Sequence, residues 1–279
     1  MHWLAAAERL RSRREAGVLV TITEVRGHSP RDAGAKMVVG LGDTWGSIGG
    51  GNLEATAVDR ARELLAETAA QPTTFTANLS DKARASHGVQ CCGGEVAVLL
   101  EPLLVLPAVA IFGVGHVGLE LARILARHDL DLHLVDSRPD QLSDRALAGL
   151  DDAVARVHRH HVPVLPELVL AELPRGTHVL VMTHDHAEDA ALCDAALRTS
   201  HLGTIGLIGS RAKWNRFCKK LADEGHDESA IARIITPIGL SQLPGKEPAT
   251  IAVGIAVSLL QTFERESRVR PSSSSGVAR

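Results

Sequence analysis

The spacing of apolar and polar positions changes character after Pro107, and it predicts different elements on either side. Residues 2–15 put Trp3, Leu4, Ala7 and Leu10 on one helical face. Residues 18–25 form an apolar, β-branched run that predicts a strand, followed by a turn-rich stretch over 27–34. A short strand is predicted over 37–39, then a glycine-dense turn over 46–51. Residues 53–66 have helical spacing, with Glu54 in the first turn, where a carboxylate suits the positive helix end. Strands over 73–79 and 95–100 complete an α+β domain covering 1–103.

The stretch 101–107, bracketed by Pro102 and Pro107, reads as a linker. Strand and helix then alternate. Strands are predicted over 109–112, 132–135, 179–182 and 204–208, and helices over 117–127, 187–197 and 212–222. That alternation implies a parallel sheet covered on both faces, so the expected fold is α/β, with a Rossmann-type parallel-sheet domain over 108–263. Residues 250–263 are apolar almost all round and predict a buried helix that packs between domains. The tail, 264–279, is charged and then Ser-rich, the composition of a disordered segment.

Composition narrows the function classes. The 279 residues carry 30 basic against 33 acidic side chains, so no large positive surface is available for nucleic acid. Tyr is absent and Phe numbers only 4, which leaves few platforms for stacking bases. No apolar run reaches the roughly 20 residues of a membrane span, and the N-terminal stretch lacks the apolar core of a secretory signal. With 4 cysteines, two of them adjacent, a disulfide framework is not expected, and a cytoplasmic location fits.

Several motifs carry chemistry. In 111–118, Gly113, Gly115 and Gly118 follow an apolar strand and open a helix, and a second strand ends at Asp136. Glycines at this spacing allow a tight turn, close approach to a phosphate and close helix–strand packing. His116 lies inside this loop, and Asp136 is placed to meet a ribose hydroxyl. Read alone, the unit points to an NAD(P)-dependent oxidoreductase. Gly49, Gly50 and Gly51 supply successive amides that can form an anion-binding nest beside Glu54, or a plain bulged turn. Cys91 and Cys92 precede Gly93 and Gly94, either as soft ligands at an exposed turn or as two small buried residues. His184 and His186 flank Asp185 at a strand end, where metal binding or proton transfer competes with a plain helix cap. Gly209, Ser210 and Arg211 open another helix, with Lys213 a second cation in its first turn. Cations there oppose the helix dipole, so their placement points to an anionic ligand. The group His158, His160 and His161 reads as a solvated stretch. Anion-friendly turns in both halves suggest an interdomain cleft for a phosphorylated ligand.

Together these motifs resemble the XdhC/CoxI family, accessory proteins of xanthine dehydrogenase and related molybdenum hydroxylases. The resemblance is carried, in order, by Arg26-Gly27-His28-Ser29-Pro30-Arg31, the turn 46–54, Gln90-Cys91-Cys92-Gly93-Gly94, the loop 112–118, Met182-Thr183-His184-Asp185-His186, Gly206-Leu207-Ile208-Gly209-Ser210 and Pro237-Ile238-Gly239-Leu240. Asn52 departs from the family's His at that place. The resemblance implies a molybdenum-cofactor chaperone, a maturation factor rather than a catalyst. Such a protein binds molybdopterin and protects it while a cysteine desulfurase helps replace an oxo ligand by sulfur. It then delivers the cofactor to an apo-hydroxylase. It further implies that Cys92, with Cys91 second, contacts molybdenum or the dithiolene, while the Rossmann loop holds a phosphate. A homodimer is also expected.

Overall fold

The computed structural model describes residues 1–67, 70–79, 93–240 and 242–268. The chain forms two compact units, one over Met1–Val105 and one over Leu106–Glu264.

The N-terminal unit holds α1 (Trp3–Arg13), β1 (Gly17–Arg26), β2 (Lys36–Gly40), β3 (Thr44–Gly46), α2 (Gly51–Ala66), β4 (Thr73–Asn78) and β5 (Glu95–Leu103). Its five strands run in the order β3-β2-β1-β5-β4, all pairs antiparallel. Alternation along β1 separates two cores. Val18, Val20 and Ile22 pack with Leu53, Ala57, Ala61 and Leu64 of α2. On the other face Leu19 and Val38 meet Ala6 and Leu10 of α1. The β1–β5 register shifts between Ile22 and Glu24, an irregularity that re-aims the strand just before the Arg26–Arg31 turn.

Two sequence expectations change here. Strand β5 continues to Leu103, so the first three linker residues are strand. Pro102 is tolerated because β4 pairs only as far as Leu100 and β1 alone flanks the chain beyond it. The three-residue β3 was too short to leave a periodic signal.

The second unit holds β6 (Ala108–Phe112), α3 (His116–Leu125), β7 (Asp131–Asp136), β8 (Arg156–His161), α4 (Val169–Glu172), β9 (His178–Val181), α5 (His186–Arg198), β10 (Ile205–Leu207), α6 (Arg211–Asp223), α7 (Glu228–Ile231), β11 (Ile234–Ile235) and α8 (Pro248–Arg268). Its six strands are all parallel, in the order β11-β10-β9-β6-β7-β8. This is the doubly wound Rossmann order. The winding reverses between β6 and β9, and ligands of such sheets bind at that reversal, outside the carboxyl ends of the strands. Every residue of β6 is buried, as a strand covered on both faces requires.

Helices α3 and α8 cover one face through Leu121, Leu125, Ile255 and Leu259. Helices α5 and α6 cover the other through Leu192, Ala196, Phe217 and Leu221. Helix α8 was expected to end at residue 263 but runs to Arg268. Its buried residues Ala252, Ile255, Ala256 and Leu259 join the Rossmann core. Among the described residues, no helix is long and apolar enough to cross a membrane.

The histidines set aside as a solvated stretch are a strand. His158, His160 and His161 lie in β8, the sheet's outer strand beside β7. The His158 ring stacks on His133 with centroids 4.4 Å apart, and His160 Nε2 lies 3.1 Å from His133 Nδ1. Burial, then the charge of His158, pushes the His160 imidazolium down. No residue of this outer strand is fully buried, and half-buried imidazoles stand on one face of it, which is why an apolar pattern did not reveal the strand.

Candidate functional site

Three sequence motifs of the N-terminal unit meet at one end of its sheet. A Cβ added at Gly94 would lie 2.1 Å from the carbonyl oxygen of His28. One added at Gly49 would lie 3.0 Å from Pro30 Cβ. The 26–31 turn is thus pressed against both the glycine pair before β5 and the glycine turn before α2. Leu79 and Gly94 are joined by a backbone bond, with the Leu79 N–H donating to Gly94 O at 2.7 Å. Cys91 and Cys92 lie outside the described residues. Gly94 therefore has a packing reason to be glycine and Gly93 a backbone one, its φ of 72°, neither of which depends on the thiols.

The glycine turn does form an anion nest, and the anion in it belongs to the chain. Glu54 Oε2 accepts from Ser47 Oγ at 2.6 Å and from the amides of Ile48 and Gly50, each at 3.1 Å. Gly51 opens α2, and Gly50 caps it without a side-chain bond. Glu54→Ala leaves these donors half-buried and unpaired. The expected cost to the N-terminal unit is about 1–3 kcal/mol, read as a lower urea midpoint of Trp45 fluorescence. An unchanged midpoint would show that water replaces the carboxylate without loss.

In the second unit four motif positions collect at the carboxyl ends of the strands: the loop after β6, Asp136 at the end of β7, and the turns after β9 and β10. Gly113 leaves β6 with φ of 101°, and a Cβ there would lie 2.4 Å from Met182 O at the end of β9. Only glycine permits that backbone and that approach. Gly118 lets α3 sit on the loop, since its Cβ would meet Gly113 O at 2.2 Å. Gly115 is different. It caps α3 with no side-chain bond, and a Cβ there would have nothing nearer than Arg138 Nη2 at 4.0 Å. The first amides of α3 and the exposed His116 therefore border open space, the setting in which a helix N-terminus receives an anion.

Asp136, at the end of β7, is only 3% exposed and accepts four hydrogen bonds. Its Oδ2 takes Val114 N–H at 2.7 Å and Arg138 Nη2 at 2.9 Å, and its Oδ1 takes Arg138 N and Nε, both at 2.9 Å. Burial pushes this carboxyl up. The bonds from Arg138 and Val114 outweigh burial and hold it below the usual carboxylate range.

At the ends of β9 and β10 the sequence reading is refined. Asp185 caps α5, accepting from Ala187 N at 2.6 Å and Glu188 N at 3.4 Å, and these amides hold its carboxyl low. His184 and His186 are exposed beside it. Among the described residues, no group of three His, Cys, Asp or Glu side chains is arranged to hold a metal ion. Ser210 caps α6, accepting from Lys213 N at 3.3 Å. Of the two cations taken as pointing to an anion, Lys213 has another task. Its ammonium is buried against Asp189 Oδ2 and donates to Ile208 O at 2.9 Å. Arg211 alone stays exposed.

A model of the XdhC Rossmann domain matches residues 109–259, more than half of the chain, and one of the XdhC and CoxI family matches residues 10–76. The chain belongs to the XdhC and CoxI family. It is also similar to the uncharacterized protein YqeB of Escherichia coli K12, at 24% identity over 243 residues. That stretch is 87% of this chain and 43% of YqeB, so the chain spans less than half the length of that relative. Among solved structures it is similar to a xanthine dehydrogenase from Bacillus halodurans, with a TM-score of 0.49, 20% identity, and 99% and 98% of the two chains covered. It is also similar to the tRNA N6-threonylcarbamoyladenosine dehydratase TcdA of E. coli, with a TM-score of 0.43, 12% identity, and 58% and 88% covered.

Three groups in this XdhC Rossmann unit escaped the sequence reading. Asp189 lies in the first turn of α5, and only the fold pairs it with Lys213. Arg138 follows Asp136 by two residues, an alternation that puts both on one side of the chain and was legible in principle. Glu188 is the third. Burial pushes its carboxyl above the usual range, His184 opposes, and Asp136 adds to the push. The cysteines among the described residues are unsuited to metal. Burial, then Asp189, pushes the Cys193 thiol up to about 12, and burial also raises Cys218. A cavity of about 260 Å³ between Arg60, Glu63, Leu64 and Phe75 contains none of the motif residues.

Proposed function

We propose that this chain is a chaperone for the molybdenum cofactor that protects molybdopterin, supports its sulfuration and delivers it to an apo-xanthine dehydrogenase or related hydroxylase in the cytoplasm. The observation that carries this reading is the convergence, in an XdhC-family chain, of motif residues after β6, β7, β9 and β10 on the carboxyl edge of one doubly wound sheet. The fit to the cofactor rests on α3. Its N-terminus has no side-chain cap, and a Cβ added at Gly115 would meet nothing nearer than Arg138 Nη2 at 4.0 Å, which leaves the first amides of α3 open to an anion.

In this reading the amides of His116 and Val117 bind the cofactor's phosphate, and Asp136 holds the glycine loop through Val114. Arg211, His184 and His186 border the same edge and orient the rest of the molecule. Cys92, which directly precedes the exposed Gly93 and the tightly packed Gly94, is the thiol assigned to molybdenum, with Cys91 second. Bound cofactor would supply the molybdenum centre that the client hydroxylase uses. A cysteine desulfurase and a second copy of the chain are the further partners.

Protein purified anaerobically from cells supplied with molybdate is expected to carry pterin, measured as its fluorescent derivative after oxidation. Cys92→Ala is expected to lower pterin retention about tenfold while thermal unfolding stays unchanged, the loss of one good ligand contact. Protein that carries no pterin and takes up none when cofactor is added would sink the reading. Unchanged retention in Cys92→Ala would remove that thiol from the site.

A further inference from the structure

A Rossmann sheet reads the sugar of its ligand at the end of the second strand, where an acidic residue takes the ribose hydroxyls or an arginine takes a phosphate on them. This chain has both residue types there, and their geometry decides between the two. Asp136 has no acceptor to offer. Its two oxygens take four N–H donors, three from Arg138 and one from Val114, and the carboxylate is buried. A vicinal diol needs a carboxylate that can accept two hydroxyl protons, and these oxygens are already engaged.

Arg138 is in the opposite condition. Its Nε and Nη2 are spent on Asp136, its side chain is 36% exposed, and Nη1 donates to no other described residue. Nη2 lies 4.0 Å from where a Cβ on Gly115 would be. The guanidinium thus stands beside the glycine loop with donors left over and its orientation locked by a bidentate carboxylate. Locked, forked N–H groups suit a phosphate oxygen pair. Glu188, on α5, is the other charged group whose field reaches this guanidinium. Burial raises its carboxyl, and it makes no direct bond to Arg138.

We infer that Arg138 makes the β7 end of this crevice a seat for a phosphomonoester, and that it does so both by offering its own donors and by withholding Asp136 from a ribose diol. This rests on the reading of the Gly113–Gly118 loop as a ligand site. The same group could come from a nucleotide bearing a ribose 2′-phosphate or from the phosphate of a pterin cofactor.

Calorimetry on the full chain with 2′-phospho-ADP-ribose and ADP-ribose tests it. The phosphorylated probe is expected to bind at least about tenfold more tightly, the worth of one or two charge-assisted bonds. Arg138→Ala is expected to abolish or reverse that preference by releasing Asp136. Arg138→Lys, which keeps the charge but not the fork, is expected to retain part of it. Thermal unfolding of each variant shows whether it is folded. Equal binding of the two probes, tighter binding of ADP-ribose, binding of neither, or an unchanged preference in folded Arg138→Ala overturns the inference.

Repeating the titration on pterin-loaded protein separates the sources. Displacement of pterin by the phosphorylated probe assigns the seat to the pterin's own phosphate. Binding of both together assigns it to a separate nucleotide. A chain that keeps pterin but shows no preference would sink this inference alone. A chain that shows the preference but never carries pterin would sink the chaperone reading alone.

Discussion

Lys213→Met is expected to destabilise the Rossmann unit by about 3–5 kcal/mol, the usual cost of leaving one member of a buried ion pair alone. Asp189 is fully buried and Lys213 is 6% exposed. Both charges are hydrogen-bonded beyond each other. The ammonium binds Asp189 Oδ2 and Ile208 O, and Asp189 Oδ1 accepts from Thr183 N at 3.0 Å and Thr183 Oγ at 2.8 Å. Thr183 Oγ, its one proton given to Asp189, accepts from Asp185 N at 3.2 Å and lies 2.9 Å from Asp185 O. One buried pair therefore ties the loop after β9 to the loop after β10, the two turns that carry His184, His186 and Arg211.

Methionine keeps the length and apolar stem of lysine, so the loss measures the stranded carboxylate and not a cavity. The double variant Asp189→Leu/Lys213→Met is expected to recover much of the loss, because no charge is left unpartnered. Trp214 follows Lys213 on α6 and is the Rossmann unit's own tryptophan, so urea unfolding of a Trp3→Phe/Trp45→Phe background reads that unit alone. A single-variant loss below about 1 kcal/mol would mean that the pair is solvated and behaves as an ordinary surface bridge.

A second large effect is expected at the glycine loop, and its contrast matters more than its size. Gly113→Ala meets two penalties. Its φ of 101° strains any L side chain, at about 1–3 kcal/mol. Its Cβ would also lie 2.4 Å from Met182 O and 2.7 Å from Thr183 Cα, both backbone atoms that cannot rotate away. Overpacking of that kind adds about 1–3 kcal/mol. Gly115→Ala meets neither. Its φ is −76°, its Cβ enters open space, and the change of cap costs about 1 kcal/mol or less.

Yet that Cβ stands where a phosphate must approach the first amides of α3. Gly113→Ala is expected to lose both stability and pterin retention, and Gly115→Ala to lose retention alone. Thermal unfolding and pterin content of the same preparations check both. Full retention in Gly115→Ala would move the phosphate off the α3 N-terminus. Unaltered stability in Gly113→Ala would mean that β6 and β9 approach less closely at the switch point than the structure has them.

Much of the fold was legible along the chain, and for local reasons. Alternation in residues 18–25, the buried run in 109–112 and the 3.6-residue spacing of 117–127 each report which side of an element faces a core, and that is encoded within a few neighbouring positions. The glycine spacing 113, 115, 118 was legible for the same reason, because the turn, the close approach and the helix start all occur within six residues. Strand β8 was not. One of its faces carries imidazoles that are half-covered only when His133 of β7 lies beside them.

The candidate site divides along the same line. The sequence by itself determined that Ile111 to Asp136 is a strand end, a glycine loop, a helix and a strand ending in a carboxylate, and in what order the family motifs fall. Only the tertiary structure decided what those groups are free to do. It turned the carboxylate of Glu54 into the anion of its own nest, spent Lys213 on Asp189, and saturated Asp136 with Arg138 and Val114 while leaving Arg138 with donors to spare. The physical reason is that a hydrogen-bonding group has a fixed number of valences. Sequence shows that the group is present, but whether its valences remain open for a ligand depends on partners that folding brings from elsewhere in the chain.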